Sequence, residues 1–152
     1  MKKILIADER IESRLIMKLI LKQFPIKIIE AKDGKEAMKK IMKHQPDLTF
    51  LDIHIPEKNG FDILTDLKEQ GNKMPVVVVS DNREQAIIDS CLDLGALSYI
   101  KKPFLFNELS NVIKSLGVNE IDRSSGKQKD YSLVHKRDAS TNENGFLSNI
   151  YY

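Results

Sequence analysis

Residues 46–56 read PDLTFLDIHIP. The short run Leu48–Leu51 ends at Asp52, and a loop bracketed by Pro56 and Gly60 follows. A short apolar run flanked by residues such as Pro46 and Asp52, which are unfavourable in strands, is typical of a strand that is buried on both faces. Comparable runs lie on either side of it, at Ile4–Ala7, Ile26–Ala31, Val76–Val79 and Leu97–Lys101. We therefore expect five strands, of which the run before Asp52 is the third.

Segments with apolar residues at helical spacing separate these strands. They are residues 11–24, Lys35–His44, a segment beginning near Phe61, residues 84–94, and a last helix that Asn107 is expected to cap. Strict alternation of strands and helices predicts an α/β fold, with a parallel sheet between two layers of helices. Because right-handed crossovers leave few topologies, we expect a flavodoxin-like doubly wound sheet of order 2-1-3-4-5 with five helices.

The composition gives no sign of a nucleic-acid or membrane partner. The 152 residues carry a formal net charge of only +2, and Cys91 is the sole cysteine, which excludes an intramolecular disulfide. The apolar run before Asp8 is too short for a signal peptide, and no run approaches the ~18 residues of a membrane span. A chain with this cysteine usage fits a reducing compartment, so we expect a cytoplasmic protein.

The composition changes near residue 119. Residues 1–118 hold the alternating pattern, whereas residues 119–152 are rich in Ser, Asn, Asp and Lys and show no sustained period. We interpret residues 119–152 as a polar tail or linker that is flexible. Its apolar clusters, such as residues 145–152, are also compatible with a docking segment, a strand or the first element of a further domain.

Chemically reactive side chains follow four of the predicted strands, at the sheet edge where ligands gather in open parallel sheets. Strand one ends in Asp8 and Glu9, strand three in Asp52, strand four in Ser80, and strand five in Lys101 and Lys102. Three adjacent carboxylates repel one another unless a cation lies among them, and oxygen ligands at this density suit Mg²⁺ or Mn²⁺. A carboxylate in such a site can be the nucleophile of phosphoryl transfer, giving an aspartyl phosphate.

Each of these residues also has an ordinary interpretation. Asp52 could be a solvated residue at a strand end, Ser80 a turn or cap residue, and Tyr99 a packed aromatic. Strand alternation separates the two lysines, because it places Tyr99 and Lys101 on one face and Lys102 on the other. We therefore expect Lys102 to point into the site and Lys101 to be solvated.

Taken together, the motifs resemble the receiver domain of bacterial two-component response regulators. The matching stretches are KILIADE at 3–9, EAKDG at 30–34, PDLTFLDIHIP at 46–56, VVVVS at 76–80 and GALSYIKKPF at 95–104. Each motif alone is weak, but their order and spacing are highly specific. The resemblance covers residues 1 to about 117.

The resemblance implies a role for each site residue. Asp52 corresponds to the phosphoacceptor. Asp8 and Glu9 correspond to the acidic pair that binds Mg²⁺ or Mn²⁺ together with Asp52 and the backbone carbonyl of His54. Ser80 corresponds to the switch hydroxyl, Tyr99 to the aromatic that reports activation, and Lys102 to the lysine that neutralises the phosphate. Pro103 implies a cis Lys102-Pro103 peptide bond that directs the lysine inward. Glu9 is one methylene longer than the usual second aspartate, so the metal geometry can differ.

The resemblance also implies a phosphorylation switch rather than an enzyme, with turnover limited to its own phosphorylation and dephosphorylation. Its partners would be a sensor histidine kinase or phosphotransfer protein and a downstream protein that binds helix four, strand five and helix five, about residues 83–116. We expect a monomer or weak dimer that binds neither nucleic acid nor membrane. A phosphate-independent adaptor of the same fold, and the regulatory N-terminal part of a longer output protein, are the alternatives.

Overall fold

The computed structural model describes residues 1–122, so the predicted tail or linker lies outside the described residues from position 123 onward. Its elements are β1 Lys2–Ala7, α1 Ile11–Leu21, β2 Ile26–Ala31, α2 Gly34–His44, β3 Leu48–Leu51, α3 Gly60–Glu69, β4 Val76–Ser80, α4 Gln85–Asp93, β5 Ser98–Lys101 and α5 Phe106–Ser115. The five predicted strands and five predicted helices are thus present. Within residues 1–122 none of the helices has the length and hydrophobicity needed to cross a membrane.

The strands form one parallel sheet in the order β2-β1-β3-β4-β5, which confirms the predicted topology. Ala7 of β1 lies opposite Leu51 of β3, so the aspartates that follow these two residues are neighbours. Ser80 of β4 lies opposite Lys101 of β5. The register therefore brings the reactive ends of the strands to one edge of the sheet.

Successive strand residues point to opposite faces, so strands that are apolar throughout bury both faces of the sheet. One face packs against α1 and α5 and contains Ile4, Ile6, Leu48, Phe50, Val77 and Val79. The other packs against α2, α3 and α4 and contains Leu5, Ala7, Leu51, Val76 and Val78. Each fully buried Val, Leu, Ile or Phe side chain contributes about 1.5–3 kcal/mol. The two layers thereby hold the sheet edge rigidly beneath the site.

Two glycines hold the loop that follows β3. The Gly34 N–H donates to the Pro56 carbonyl at 2.9 Å, and a Cβ at position 34 would lie 1.6 Å from the Lys58 carbonyl oxygen. The Gly60 N–H donates to the Ile53 carbonyl at 2.9 Å, and a Cβ there would meet the Ile53 Cα at 2.7 Å. Only glycine fits these close approaches, which fix the loop against the starts of α2 and α3.

The N-terminal caps of α2 and α5 differ, and the capping residue predicted for α5 was wrong. Asp33 caps α2 by accepting from the Glu36 N–H at 2.7 Å, as its residue type suggests. Asn107 does not cap α5, because the helix already begins at Phe106. The Glu108 carboxylate instead accepts from the Leu105 N–H at 2.6 Å. A glutamate three residues into the helix thus binds the N-cap backbone, so that no polar cap residue is needed there.

Candidate functional site

An ion triad forms the centre of the candidate site. The Lys102 Nζ lies 2.6 Å from Asp8 Oδ2 and 3.0 Å from Asp52 Oδ2. Asp8 is 1% exposed and Asp52 is 9% exposed, while the side chain of Lys102 is 14% exposed. Charges buried to this extent are tolerated only when they are paired. The structure therefore brings together three of the predicted site residues from three separate strand ends.

Lys102 reaches the carboxylates because of the way β5 ends. Its backbone N–H donates to the Ser80 carbonyl at 2.8 Å, which ties it to the end of β4. Lys101 is exposed, so Lys102 and not its neighbour enters the site, as the strand alternation predicts. The Lys102-Pro103 peptide bond is cis, in agreement with the expectation from the resemblance.

The charge balance of the triad keeps the lysine protonated. Burial alone lowers the pKa of Lys102, but the attraction of the Asp52 and Asp8 carboxylates outweighs it and raises that pKa above its ordinary value. Two carboxylates and one ammonium leave a net charge of −1 in the pocket. The pocket therefore keeps an affinity for a further positive charge.

The phosphoacceptor candidate is fixed at both its backbone and its side chain. The Asp52 N–H donates to the Ala7 carbonyl at 2.9 Å, and Asp52 Oδ1 accepts from the His54 N–H at 3.0 Å. The His54 side chain is exposed, so this residue meets the site through its backbone. The remaining carboxylate oxygen, Oδ2, faces Lys102.

The Asp8 carboxylate accepts more hydrogen bonds than the Asp52 carboxylate. Its Oδ1 accepts from the Arg10 N–H at 2.9 Å, and its Oδ2 accepts from the Ser13 hydroxyl at 2.6 Å as well as from Lys102. Ser13 was not predicted from the sequence. A hydroxyl five residues after a strand-end acid is a weak signal, because its role depends on how α1 approaches the end of β1.

Glu9 does not join the two aspartates. It is exposed, and the contact seen for it is through its carbonyl oxygen, which accepts from Arg14 Nη1 at 3.2 Å. Over residues 1–122, no three His, Cys, Asp or Glu side chains are grouped closely enough to hold a metal ion. The expected trio of Asp8, Glu9 and Asp52 is therefore reduced to its two aspartates here, and the metal role of Glu9 stays a prediction.

The donor set that is assembled still fits a magnesium-type ion. Asp8 and Asp52 supply hard carboxylate oxygens beside one another, with the net negative charge that a divalent cation requires. Mg²⁺ is commonly bound by one or two carboxylates, keeping several waters for the rest of its octahedral shell. The His54 N–H contacts Asp52 Oδ1, and the role of the His54 carbonyl as a further ligand stays a prediction.

The switch candidates are Ser80, the last residue of β4, and Tyr99 in β5. Ser80 is fully buried, and its Oγ accepts from the Asn82 N–H at 3.3 Å. The Tyr99 hydroxyl donates to the Asn82 carbonyl at 2.7 Å. Burial raises the pKa of Tyr99, while a hydrogen bond with Ser80 acts in the opposite direction. Ser80, Tyr99 and the loop after β4 are therefore joined by direct hydrogen bonds.

These observations agree with a match to a known family. The response regulator receiver domain model matches residues 4–114. The chain belongs to the response regulator receiver domain family. The described receiver domain accordingly has the fold of the family and carries the acids, the hydroxyl and the lysine at the carboxyl edge of its sheet.

Two curated relatives differ in how much of their length this receiver domain spans. The alkaline phosphatase synthesis transcriptional regulatory protein PhoP of Bacillus subtilis is 31% identical over 84% of the chain, which covers 54% of that protein. The sporulation initiation phosphotransferase F of the same organism is 30% identical over 74% of the chain, which covers 90% of that protein. The chain thus spans about half of one relative and most of the other.

A solved structure supports the same conclusion. The receiver domain of the Francisella response regulator 1452 superposes with a TM-score of 0.72 at 28% sequence identity, covering 76% of this chain and 96% of that one.

Proposed function

We propose that this receiver domain is a phosphorylation switch of a two-component phosphorelay, and that Asp52 accepts the phosphoryl group from a sensor histidine kinase or a phosphotransfer protein in the cytoplasm. The observation that carries this proposal is the Lys102 Nζ held between Asp8 Oδ2 and Asp52 Oδ2. Such an arrangement supplies a buried carboxylate nucleophile together with a fixed cation, both of which favour phosphoryl transfer to an aspartate. Residues 1–118 form the unit that performs it.

In the transfer step, an oxygen of the Asp52 carboxylate attacks the phosphorus of a phosphohistidine. The new P–O bond forms as the P–N bond breaks, and its electron pair returns to the imidazole of the donor. Lys102 holds a phosphoryl oxygen as charge accumulates there. Mg²⁺ or Mn²⁺ bound by Asp8 and Asp52, with the His54 carbonyl and Glu9 as further candidate ligands, would supply additional neutralisation of the phosphoryl oxygens.

The return step is hydrolysis of the aspartyl phosphate. Water attacks the phosphorus, the bond to Asp52 breaks, and inorganic phosphate leaves the regenerated carboxylate. Turnover is confined to the receiver domain's own phosphorylation and dephosphorylation. The protein acts as a switch and not as an enzyme on a separate substrate.

Phosphorylation replaces the single negative charge of the Asp52 carboxylate with the roughly −1.5 to −2 charges of a phosphoryl group. The Ser80 hydroxyl and Lys102 are then drawn toward the phosphoryl oxygens, and Tyr99 follows because it shares hydrogen bonds with Ser80 and the loop after β4. Binding energy that differs between two conformations shifts their populations. The face formed by α4, β5 and α5 thereby changes its affinity for a downstream protein.

The test is labelling with radioactive acetyl phosphate in the presence of Mg²⁺. Asp52→Asn removes the nucleophile while keeping the size of the side chain, so labelling should be abolished. Asp62→Asn, at an exposed position of α3, is the matched control and should label like the wild type. Undiminished labelling of the Asp52→Asn variant would reject the proposal.

The exposed position of Glu9 favours one alternative, a phosphate-independent adaptor. In that case the two aspartates alone would not retain a divalent ion. A calorimetric Mg²⁺ titration without saturable heat at millimolar Mg²⁺ would support the adaptor. The regulatory part of a longer output protein is the other alternative, since the chain covers 54% of the PhoP relative.

A further inference from the structure

Ser13 contacts the candidate site through its side-chain hydroxyl. Its hydroxyl donates to Asp8 Oδ2 at 2.6 Å, in the short range that is typical of hydroxyl bonds to a charged oxygen. The same Oδ2 accepts from Lys102 Nζ, also at 2.6 Å. One carboxylate oxygen of the site is thus shared between a neutral donor on α1 and the cation from the end of β5.

The two donors differ in what else they contact. Lys102 also contacts Asp52 Oδ2, so any phosphoryl group on Asp52 competes with Asp8 for this lysine. The hydrogen bond of Ser13 has no second acceptor in the triad. Because Asp8 is 1% exposed, water can hardly replace a donor that it loses. Ser13 is therefore the side-chain donor that can stay on Asp8 when Lys102 turns away.

The position of Ser13 is itself held firmly. Arg14, the next residue, donates from Nη1 to the Asp8 carbonyl at 2.7 Å and to the Glu9 carbonyl at 3.2 Å. These bonds fix the first turn of α1 against the connection from β1. The Ser13 hydroxyl is also not diverted to helix capping, since the N-cap position is Arg10 and the hydroxyl bonds to Asp8.

We propose that Ser13 is a positioning residue for this site, whose hydroxyl keeps the Asp8 carboxylate oriented toward Mg²⁺ while Lys102 moves to the phosphoryl group. The inference rests on the proposed function, because it assumes that Asp8 and Asp52 hold the ion. Partners that orient a metal ligand typically change metal affinity by about 10–100-fold when they are removed. Ser13 acts through Asp8 and does not itself touch the reacting atoms.

The experiment compares Mg²⁺ binding by the unphosphorylated full chain in three variants, using isothermal titration calorimetry. Ser13→Ala should weaken Mg²⁺ binding about 10-fold, at the lower end of the range for such partners. Ser13→Thr keeps the hydroxyl and should bind nearly as tightly as the wild type. Ser115→Ala removes a serine hydroxyl at the far end of α5, where it donates to the Val112 carbonyl, and should leave Mg²⁺ affinity unchanged.

Acetyl phosphate labelling as a function of Mg²⁺ concentration gives a second measurement. For Ser13→Ala, the Mg²⁺ concentration at half-maximal rate should rise by the same factor, while the rate at saturating Mg²⁺ should recover to nearly the wild-type value. A thermal unfolding curve without Mg²⁺ establishes that each variant is folded.

The outcomes separate this inference from the proposed function. If the wild type shows no saturable Mg²⁺ binding, the metal-assisted switch is rejected and the role of Ser13 falls with it. If the wild type binds Mg²⁺ and is labelled, but Ser13→Ala binds Mg²⁺ equally well, only the role of Ser13 is rejected. Equal losses in Ser13→Ala and Ser13→Thr would also reject it, because the effect would then come from packing and not from the hydroxyl.

Discussion

Two sets of residues at the candidate site are built from different interactions. In the first, which we call the charged side, Asp8, Ser13 and Lys102 are joined by hydrogen bonds of 2.6 Å that each involve an ionised group. In the second, which we call the switch side, Ser80, Asn82 and Tyr99 are joined by neutral hydrogen bonds, of which one measures 2.7 Å and one 3.3 Å.

This difference has a mechanical consequence. Bonds to charged groups contribute about 1.5–3 kcal/mol, whereas a neutral hydrogen bond contributes about 1 kcal/mol. The switch side also depends on the loop after β4, whose residues 81 and 83 are exposed, while Asp8, the acceptor shared by the charged side, is 1% exposed. The charged side is thus suited to hold the reacting atoms still, and the switch side to change conformation at small cost.

The largest effect should come from Lys102→Met, which removes the cation from the charged side and keeps an apolar stem of similar length. Two buried carboxylates would then face each other unpaired, and we expect the free energy of unfolding to fall by about 3 kcal/mol without divalent ion. Urea unfolding followed by circular dichroism measures it. Lys101→Met, at the exposed neighbouring position, should change the same free energy by less than about 0.5 kcal/mol.

The stabilisation by Lys102 depends on pH in a definite direction. The pKa of Lys102 is raised above its ordinary value of 10.5, so its stabilisation is fully present below pH 10.5 and is lost as the pH rises through the raised pKa. The difference between wild type and Lys102→Met should therefore be constant around neutral pH. An equal stability of the two proteins at pH 7 would show that the charged side does not hold the site together.

A smaller effect is expected on the switch side from Tyr99→Phe, which removes the hydroxyl that donates to the Asn82 carbonyl but keeps the ring. The free energy of unfolding should fall by about 1 kcal/mol, the contribution of one neutral hydrogen bond. Acetyl phosphate labelling of Asp52 should proceed at the wild-type rate, because no group of the charged side changes. A loss of labelling as complete as that expected for Asp52→Asn would contradict the division into two sides.

The sequence predicted the strand-end residues of the charged side, but it did not predict the contribution of helix α1. Asp8, Asp52 and Lys102 could be placed together because parallel strands end at one edge and strand alternation selects Lys102 over Lys101. Ser13 and the exposed position of Glu9 could not be predicted in this way. Both depend on the direction in which α1 leaves β1, and that direction is set by three-dimensional contacts such as those of Arg14 with the carbonyls of Asp8 and Glu9.

The smallest effect should come from Glu30, which is linked to the charged side through Arg14. Its carboxylate accepts from Arg14 Nε at 3.1 Å and from Lys18 Nζ at 3.0 Å. Partial burial alone raises the pKa of Glu30, but the hydrogen bonds from Lys18 and Arg14 outweigh it and lower that pKa below the ordinary 4.5. Its stabilisation is therefore present above pH 4.5 and lost as the pH falls through the lowered pKa.

Glu30→Gln should reduce the free energy of unfolding by less than about 1 kcal/mol at pH 7, because solvent screens a pair this exposed. The difference from the wild type should shrink as the pH is lowered below 4.5, in urea unfolding followed by circular dichroism. Glu84→Gln, at an exposed position before α4 where the side chain makes no capping bond, should follow the wild-type profile. If Glu30→Gln lowered the free energy of unfolding as much as Lys102→Met, the ion pair of Glu30 with Arg14, and not the buried triad, would be what fixes Asp8 beside Asp52.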